Sequence, residues 1–511
     1  MRILAAVLVL LAASVGLAED EPRAEHLRHP DRLIETIRRS GDFWRGAYDE
    51  GRGGFFTHVS RDGTVERRGV KRTMIQSRNA YGLVRAFMVT GDTKYLERAD
   101  AALRFMYDHA WDPRHGGWVG LIRDAEHAGA VDGTPLDPKS SFLQHYALLG
   151  PLAMVEATRD PLHRRWADRG MRIIEEKLVD PRPAFGGYYE QADHDWSNPR
   201  GKSFTSVGDA ITGFALFQYL LTGEDADRDR LASIGDLLLK HFIGNMEAPG
   251  VVAVFPACFT ADWEIDRRRQ WIGVGHFLKT AWHLTRCYLV LGDERYREGA
   301  ERIFDHLLTH ARGTPGSLWN EQTGIPRGQL HWDTGRVTQD ASFWWSQEQA
   351  IAAGLLGHHA TGRADVLRVA DRTLRFFMSH YWDAQHGEVF YLVDANGAVR
   401  NANKGGPDKG GFHSIELFYS TYLYGNLLSH RRPVSLYYRF RPADAPREIA
   451  LRPLAVPEDA ITITQVQRDG QAFDRYDAAG RTLHLPTGVG GIFRVTFAPS
   501  EANPPATPEN P

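Results

Sequence analysis

The sequence predicts a mainly α-helical chain folded as an (α/α)6 barrel, a toroid of six helical hairpins, followed by a small C-terminal antiparallel β domain. Three observations carry this. A helix-ending phrase recurs at a nearly constant interval. A glycine-pair phrase recurs in phase with it. The apolar period then changes from helical to alternating after Pro433.

The first phrase is Thr90-Gly91-Asp92, Thr158-Arg159-Asp160, Thr222-Gly223-Glu224, Leu291-Gly292-Asp293 and Thr361-Gly362-Arg363, spaced by 68, 64, 69 and 70 residues. Glycine suits the left-handed position that ends a helix, and an acidic neighbour suits the start of the next. After Gly91-Asp92, the residues Tyr95, Ala99, Ala102, Leu103, Met106 and Ala110 fall on one helical face. The second phrase is Gly53-Gly54-Phe55-Phe56, His115-Gly116-Gly117-Trp118, Phe185-Gly186-Gly187-Tyr188 and His386-Gly387-Glu388-Val389, a tight turn entering a short extended segment. Between these marks lie twelve helical stretches, near 27–44, 74–90, 94–110, 140–158, 162–178, 205–222, 226–243, 272–290, 294–311, 341–360, 364–381 and 412–428. Six pairs with alternating short and long connections suit a closed toroid over about 26–430. An open helical solenoid is the alternative, but it needs polar terminal repeats that the sequence does not show. Residues 434–498 alternate, as in Val434, Leu436, Tyr438 and Phe440, with a hairpin signal at Asp469-Gly470. They predict a β-sandwich-like accessory domain.

Composition bounds the function. The chain has 511 residues, with 61 basic against 64 acidic side chains, so it lacks the basic excess that nucleic-acid binding needs. Two cysteines exclude a disulfide scaffold and a thiolate zinc cluster. Cys258 and Cys287 could pair outside the cytosol, although Cys287 falls within a predicted helix. Residues 1–18 carry Arg2, a short apolar run and small residues before Ala18, the pattern of a secretory signal peptide; an N-terminal membrane anchor is the alternative. The expected location is therefore periplasmic or secreted, with no membrane association after signal removal. The proline-rich residues 499–511 are expected to be disordered.

The chemistry is expected where the inner helices begin. Arg78, Gln144 with His145, Asp209, His276, Gln347 with Glu348, and His413 recur at intervals of 66, 65, 67, 71 and 66. Each opens an apolar helix. Burying six such groups without partners would cost several kcal/mol, so a shared polar cavity is expected. Aromatic residues accompany them: Tyr81, Phe142, Trp271, Trp282, Phe343, Trp344, Trp345 and Phe412. Flat rings beside hydrogen-bonding groups suit a sugar. His276 and His413 both follow glycines and share the repeat phase, so they can serve as base and acid near neutral pH. Arg78 can stabilise a developing oxyanion. No metal-ligand spacing and no phosphate loop is present.

At these residues the chain resembles the N-acylglucosamine 2-epimerase family, which includes cellobiose 2-epimerases and mannose-type aldose–ketose isomerases. The resemblance covers about 45–430. Gln76-Ser77-Arg78 looks like its first inner-helix motif. Gly275-His276 with Ala281-Trp282 looks like its Gly-His…Trp motif. Trp345-Ser346-Gln347 looks like its Trp-x-Gln motif, and Lys409-Gly410-Gly411-Phe412-His413 like its closing motif. The chain departs from the family at Ser206 and Ala210, where Asn and His are usual, and at Lys279 and Gln349, where Glu is usual. The resemblance implies a metal-independent, cofactor-free epimerase or isomerase. It would act on an unphosphorylated reducing mono- or disaccharide, with His276, His413 and Arg78 catalytic. Trp345, Gln347, Glu348, Asp209, Phe412, Tyr81, Lys279 and Gln349 would hold the sugar. Two other classes stay open: an (α/α)6 glycoside hydrolase or polysaccharide lyase using Asp209, Glu348 and Asp340, and a noncatalytic glycan-binding protein.

Overall fold

The computed structural model describes residues 22–67, 70–122, 137–309, 318–320 and 323–500. The signal-peptide segment and nearly all of the predicted disordered tail lie outside these residues. Among the described residues, after a single helical turn at Glu25–Arg28, twelve longer helices follow in hairpin pairs. The outer ones are α1 (Leu33–Gly46), α3 (Thr93–His109), α5 (Pro161–Lys177), α7 (Asp225–Leu237, continued by a π-helical Leu238–Phe242), α9 (Glu294–Thr309) and α11 (Ala364–His380). The inner ones are α2 (Thr73–Thr90), α4 (Ser141–Thr158), α6 (Phe204–Ala210, a π-helical Ile211–Ala215 and Leu216–Thr222), α8 (Val274–Leu291), α10 (Trp344–Thr361) and α12 (Phe412–Tyr424, then a π-helical Gly425–Ser429). Each inner helix packs on the next, and α12 returns to α2 and α1, so the ring closes and the open solenoid is excluded.

The sequence explains the two rings. The outer helix α3 buries a stripe of Tyr95, Ala99, Ala102, Leu103 and Met106 and leaves its other face polar. Inner helix α2 is buried on every side from Thr73 to Val89, because it has neighbours in both rings. The recurring phrase is the hinge between them. Gly91, Arg159, Gly223, Gly292 and Gly362 all adopt the left-handed conformation that ends an inner helix. Asp92 and Asp160 then cap the following outer helices.

The glycine pairs shape the opposite rim. Gly53, Gly54, Gly116, Gly117, Gly186 and Gly187 all have positive φ. After two of these turns an inner-helix glutamine clips the backbone: Gln76 Oε1 accepts from Phe55 N–H at 2.5 Å, and Gln144 Oε1 from Trp118 N–H at 2.9 Å. Short strands lead into the inner helices and pair antiparallel across the rim, as Lys71–Arg72 does with Leu121–Ile122. Buried lysines brace the same turns through Asp49–Lys71, Asp112–Lys139, Asp180–Lys202 and Asp383–Lys404.

The β domain has two antiparallel sheets. One orders Val434–Phe440, Gly491–Pro499, Ile461–Arg468 and Gln471–Ala472; the other orders Arg447–Ala450, Thr482–Leu485 and Tyr476–Asp477. The Asp469-Gly470 turn has positive φ at both residues, as its hairpin requires. The last strand runs through Ala498 and Pro499, so order extends slightly beyond the predicted limit of 498. This domain covers the C-terminal ends of the inner helices: Arg159 donates to Ala450 O at 2.7 Å, and Tyr424 Oη to Ala455 O at 3.1 Å. Cys258 and Cys287 are free and buried, so they form no disulfide.

Candidate active site

The N-terminal turns of the inner helices bring polar groups to the axis. On α12, His413 Nδ1 lies 2.5 Å from Glu348 Oε2 of α10. Gln349 donates to that same oxygen at 2.9 Å and accepts from the Trp282 indole N–H at 2.5 Å. On α8, Lys279 donates to Asp209 Oδ1 of α6 at 2.5 Å and to the Tyr146 hydroxyl of α4 at 2.8 Å. The Arg78 guanidinium of α2 lies 4.3 Å from the Tyr146 ring centre and also borders Phe142 and Phe412. It donates to the Asp408 carbonyl, while its buried Nε has no partner among the described residues. All six inner helices thus contribute.

Trp345 links the two imidazoles. Its ring centre is 4.9 Å from that of His276 and 6.3 Å from that of His413. Phe204 covers the other side of His276 at 4.9 Å. His276, Trp345 and Phe142 are partly exposed, and His413 is 5% exposed. Burial pulls His276 down to about 4, so its ring is neutral at pH 7. Burial, then the cations of Arg78, Lys279 and Lys409, hold His413 well below the usual imidazole range. Burial, then the negative charge of Glu416, raises the Glu348 carboxyl well above the usual carboxylate range. The proton between them fixes the chemistry. With Glu348 ionised, Nδ1–H donates to it and Nε2 carries a lone pair, a base. With one more proton the pair becomes an acid.

Several sequence expectations need correction. Tyr81 does not face the pocket: it is fully buried beneath it, donates to Glu416 and packs against Phe412 at 5.1 Å. Gln347 is also fully buried, at the position of the clips Gln76 and Gln144 and beside the Tyr381 hydroxyl, so it belongs to the wall. His145 packs between Tyr188 and Phe214, each 5.3 Å away; its neighbour Tyr146 is the residue that reaches the axis. Asp340 sits on the rim, bonded to Arg327, and Asp209 is held by Lys279, so the carboxylate pair of the hydrolase reading is not assembled. Tyr146, Arg286 and Glu416 were missed. Tyr146 follows Arg78 by one repeat, but in the sequence its signal is masked by the more polar Gln144 and His145 beside it.

Among the described residues one trio brings metal-ligating atoms together: Asp112, His115 and His194, within 4.8 Å of one another. Asp112 is already engaged by Lys139 at 2.6 Å, the pairing that recurs in other repeats, and the trio lies on the rim outside the pocket.

Comparison with known proteins places this geometry. The sequence profile of the N-acylglucosamine 2-epimerase (GlcNAc 2-epimerase) family matches residues 54–414, most of the chain. The protein belongs to this family. It is 23% identical to the bovine (Bos taurus) N-acylglucosamine 2-epimerase over 79% of this chain and 93% of that one. It is 23% identical to the cellobiose 2-epimerase of Eubacterium cellulosolvens over 70% of this chain and 88% of that one. A D-mannose isomerase crystal structure superposes with a TM-score of 0.67 and 17% identity, covering 77% of this chain and 97% of that one, which shows the shared toroid. In this family member the departure at Lys279 is matched by an ion pair with Asp209.

Proposed function

We propose that the protein is a sugar 2-epimerase or aldose–ketose isomerase acting at C2 of an unphosphorylated reducing mono- or disaccharide. The observation that carries this reading is the gathering of two imidazoles around one indole, their ring centres 4.9 and 6.3 Å from that of Trp345, with the Arg78 guanidinium acting on the same His413 ring. Family membership supports the same reaction class. Export through residues 1–18 favours free sugars over phosphorylated ones.

The steps follow from the residues. The sugar opens to its aldehyde with one face against Trp345. His413 Nε2 takes the C2 proton, and the electron pair of that bond forms C1=C2 while O1 takes the negative charge. Arg78, itself buried, balances that charge. His276, neutral at rest and 4.9 Å from the same indole, is the partner. His276, after taking a proton from solvent, delivers it to the opposite face of C2 to give the epimer, and His413 releases the abstracted proton to solvent. A proton passed from O2 to O1 and another delivered to C1 give the ketose. Lys279, Asp209 and Tyr146 form a polar wall for the sugar hydroxyls.

Proton NMR of candidate sugars incubated in deuterated water tests this. The protein should exchange the C2 proton, and His276→Asn and His413→Asn should each abolish the exchange. Full exchange in both variants would overturn the reading.

A further inference from the structure

Glu416 lies beneath the pocket, three residues after His413 on α12, and is buried. It accepts from the Tyr81 hydroxyl of α2 and from Arg286 of α8, the latter at 3.1 Å. Arg286 lies 4.2 Å over the Trp282 ring. Trp282 holds Gln349, Gln349 holds Glu348, and Glu348 holds His413. The contacts close a loop through α8, α10 and α12, and every member is buried. The β-domain residues Leu454 and Ala455 line the small cavity on its lower side.

The charges around this loop are unequal in effect. Arg78 of α2, Lys279 and His276 of α8, and Lys409 of the preceding loop act on the His413 ring. Arg78, Lys279 and Arg286 also act on Glu348, and the cations Arg78, Lys279, Lys409 and Arg286 favour losing the shared proton. Asp209 is held by Lys279, and Glu388 by Lys409. From below, Glu416 is faced by Tyr81 and Arg85 of α2, Glu156 of α4, Arg286 of α8, and Tyr419 and Tyr424 of its own helix. Glu416, itself paired with Arg286, is the carboxylate whose charge acts on Glu348 against these cations.

We propose that Glu416, fixed by Tyr81 and Arg286, is a positioning residue that retains the shared proton on the Glu348–His413 pair. It touches no substrate. It sets the pH at which the pair changes from acid to base, and so the pH range in which one pocket can both take and return a proton. The inference rests on the proton-transfer reading of the same pocket.

The experiment is an NMR titration of the His413 imidazole in the full-length protein labelled with 13C-histidine, with His413→Asn supplying the assignment. Glu416→Gln removes the retaining charge and frees Arg286, so the midpoint should fall by about half a pH unit or more. Arg286→Gln leaves Glu416 unopposed and should move it the other way. If Glu416→Gln does not fold, Tyr81→Phe, which strips a donor from the carboxylate, should shift the midpoint upward. Coincident titrations in wild type and variants, or shifts of one sign in Glu416→Gln and Arg286→Gln, would overturn the proposal. The titration needs no turnover. A wild-type protein that exchanges no sugar proton defeats the functional reading, while the midpoint still decides the role of Glu416.

Discussion

Lys279 and Asp209 meet at 2.5 Å across two inner helices, each about 2% exposed or less. The pairing explains why two charges coexist while buried. Attraction offsets desolvation only while both are present. Lys279→Met alone leaves a buried carboxylate without a cation and should cost about 3–5 kcal/mol. The double variant Lys279→Met/Asp209→Leu should recover most of that loss. Urea unfolding of the two variants checks this, and equal destabilisation in both would refute the pairing.

Arg78 combines a planar stack with a developing-charge role. Its guanidinium lies 4.3 Å from the Tyr146 ring centre. Lysine can supply the charge but neither the stack nor the fork of donors. Arg78→Lys should therefore lower kcat by about 10²-fold while changing KM far less, since the lost contact acts on the transition state. Steady-state epimerisation of a reducing disaccharide measures the split. A rise in KM at constant kcat would instead make Arg78 a ground-state binder.

The toroid was readable because its marks are local. A left-handed residue must end each inner helix, and glycine supplies it at Gly91, Gly223, Gly292 and Gly362. The lining was less readable because one residue on a helix is a turn of about 100°. His145 faces Tyr188 and Phe214, whereas Tyr146 faces Lys279 and Arg78. What sets that rotation is pairing at the rim, where Lys139–Ser140 bonds to Gln191–Ala192 before α4 begins. Such pairing joins distant segments and leaves no local trace. Depth was hidden for a similar reason. Tyr81 follows Arg78 by less than a turn, yet it lies under the pocket, bonded to Glu416 from the far end of the domain.

Buried imidazoles set the acid limit of stability. Burial pulls His145 to about 3, and His241, His276 and His359 to about 4. Unfolding returns each to about 6.5. Above that pH both states are neutral and nothing is lost. Below it the unfolded chain takes up protons that the folded chain refuses, so stability falls between about pH 6.5 and 4. His145 illustrates the effect, because neither of its ring nitrogens has a hydrogen-bond partner among the described residues. His145→Phe should stabilise the protein by about 1 kcal/mol at pH 7 and flatten the acid limb. Urea unfolding at several pH values reads both effects.

The glycine-pair turns offer a comparison within one chain. Gly117 has φ +79°, and a Cβ there would lie 2.4 Å from the Trp196 ring. That ring cannot yield easily, since its indole N–H donates to His115 O at 3.0 Å. The turn is also gripped from inside by Gln144, which bonds both the N–H and the carbonyl of Trp118 at 2.9 Å. Gly186, the first glycine of the corresponding turn in the next repeat, also has positive φ, +57°, but nothing within 4 Å of its added Cβ. Gly186→Ala should therefore cost only the backbone term, about 1 kcal/mol. Gly117→Ala adds a steric clash in a packed wall and should cost about 2–4 kcal/mol. Denaturant midpoints of the two variants separate the effects, and equal losses would mean that the turn conformation alone, without the Trp196 contact, demands glycine.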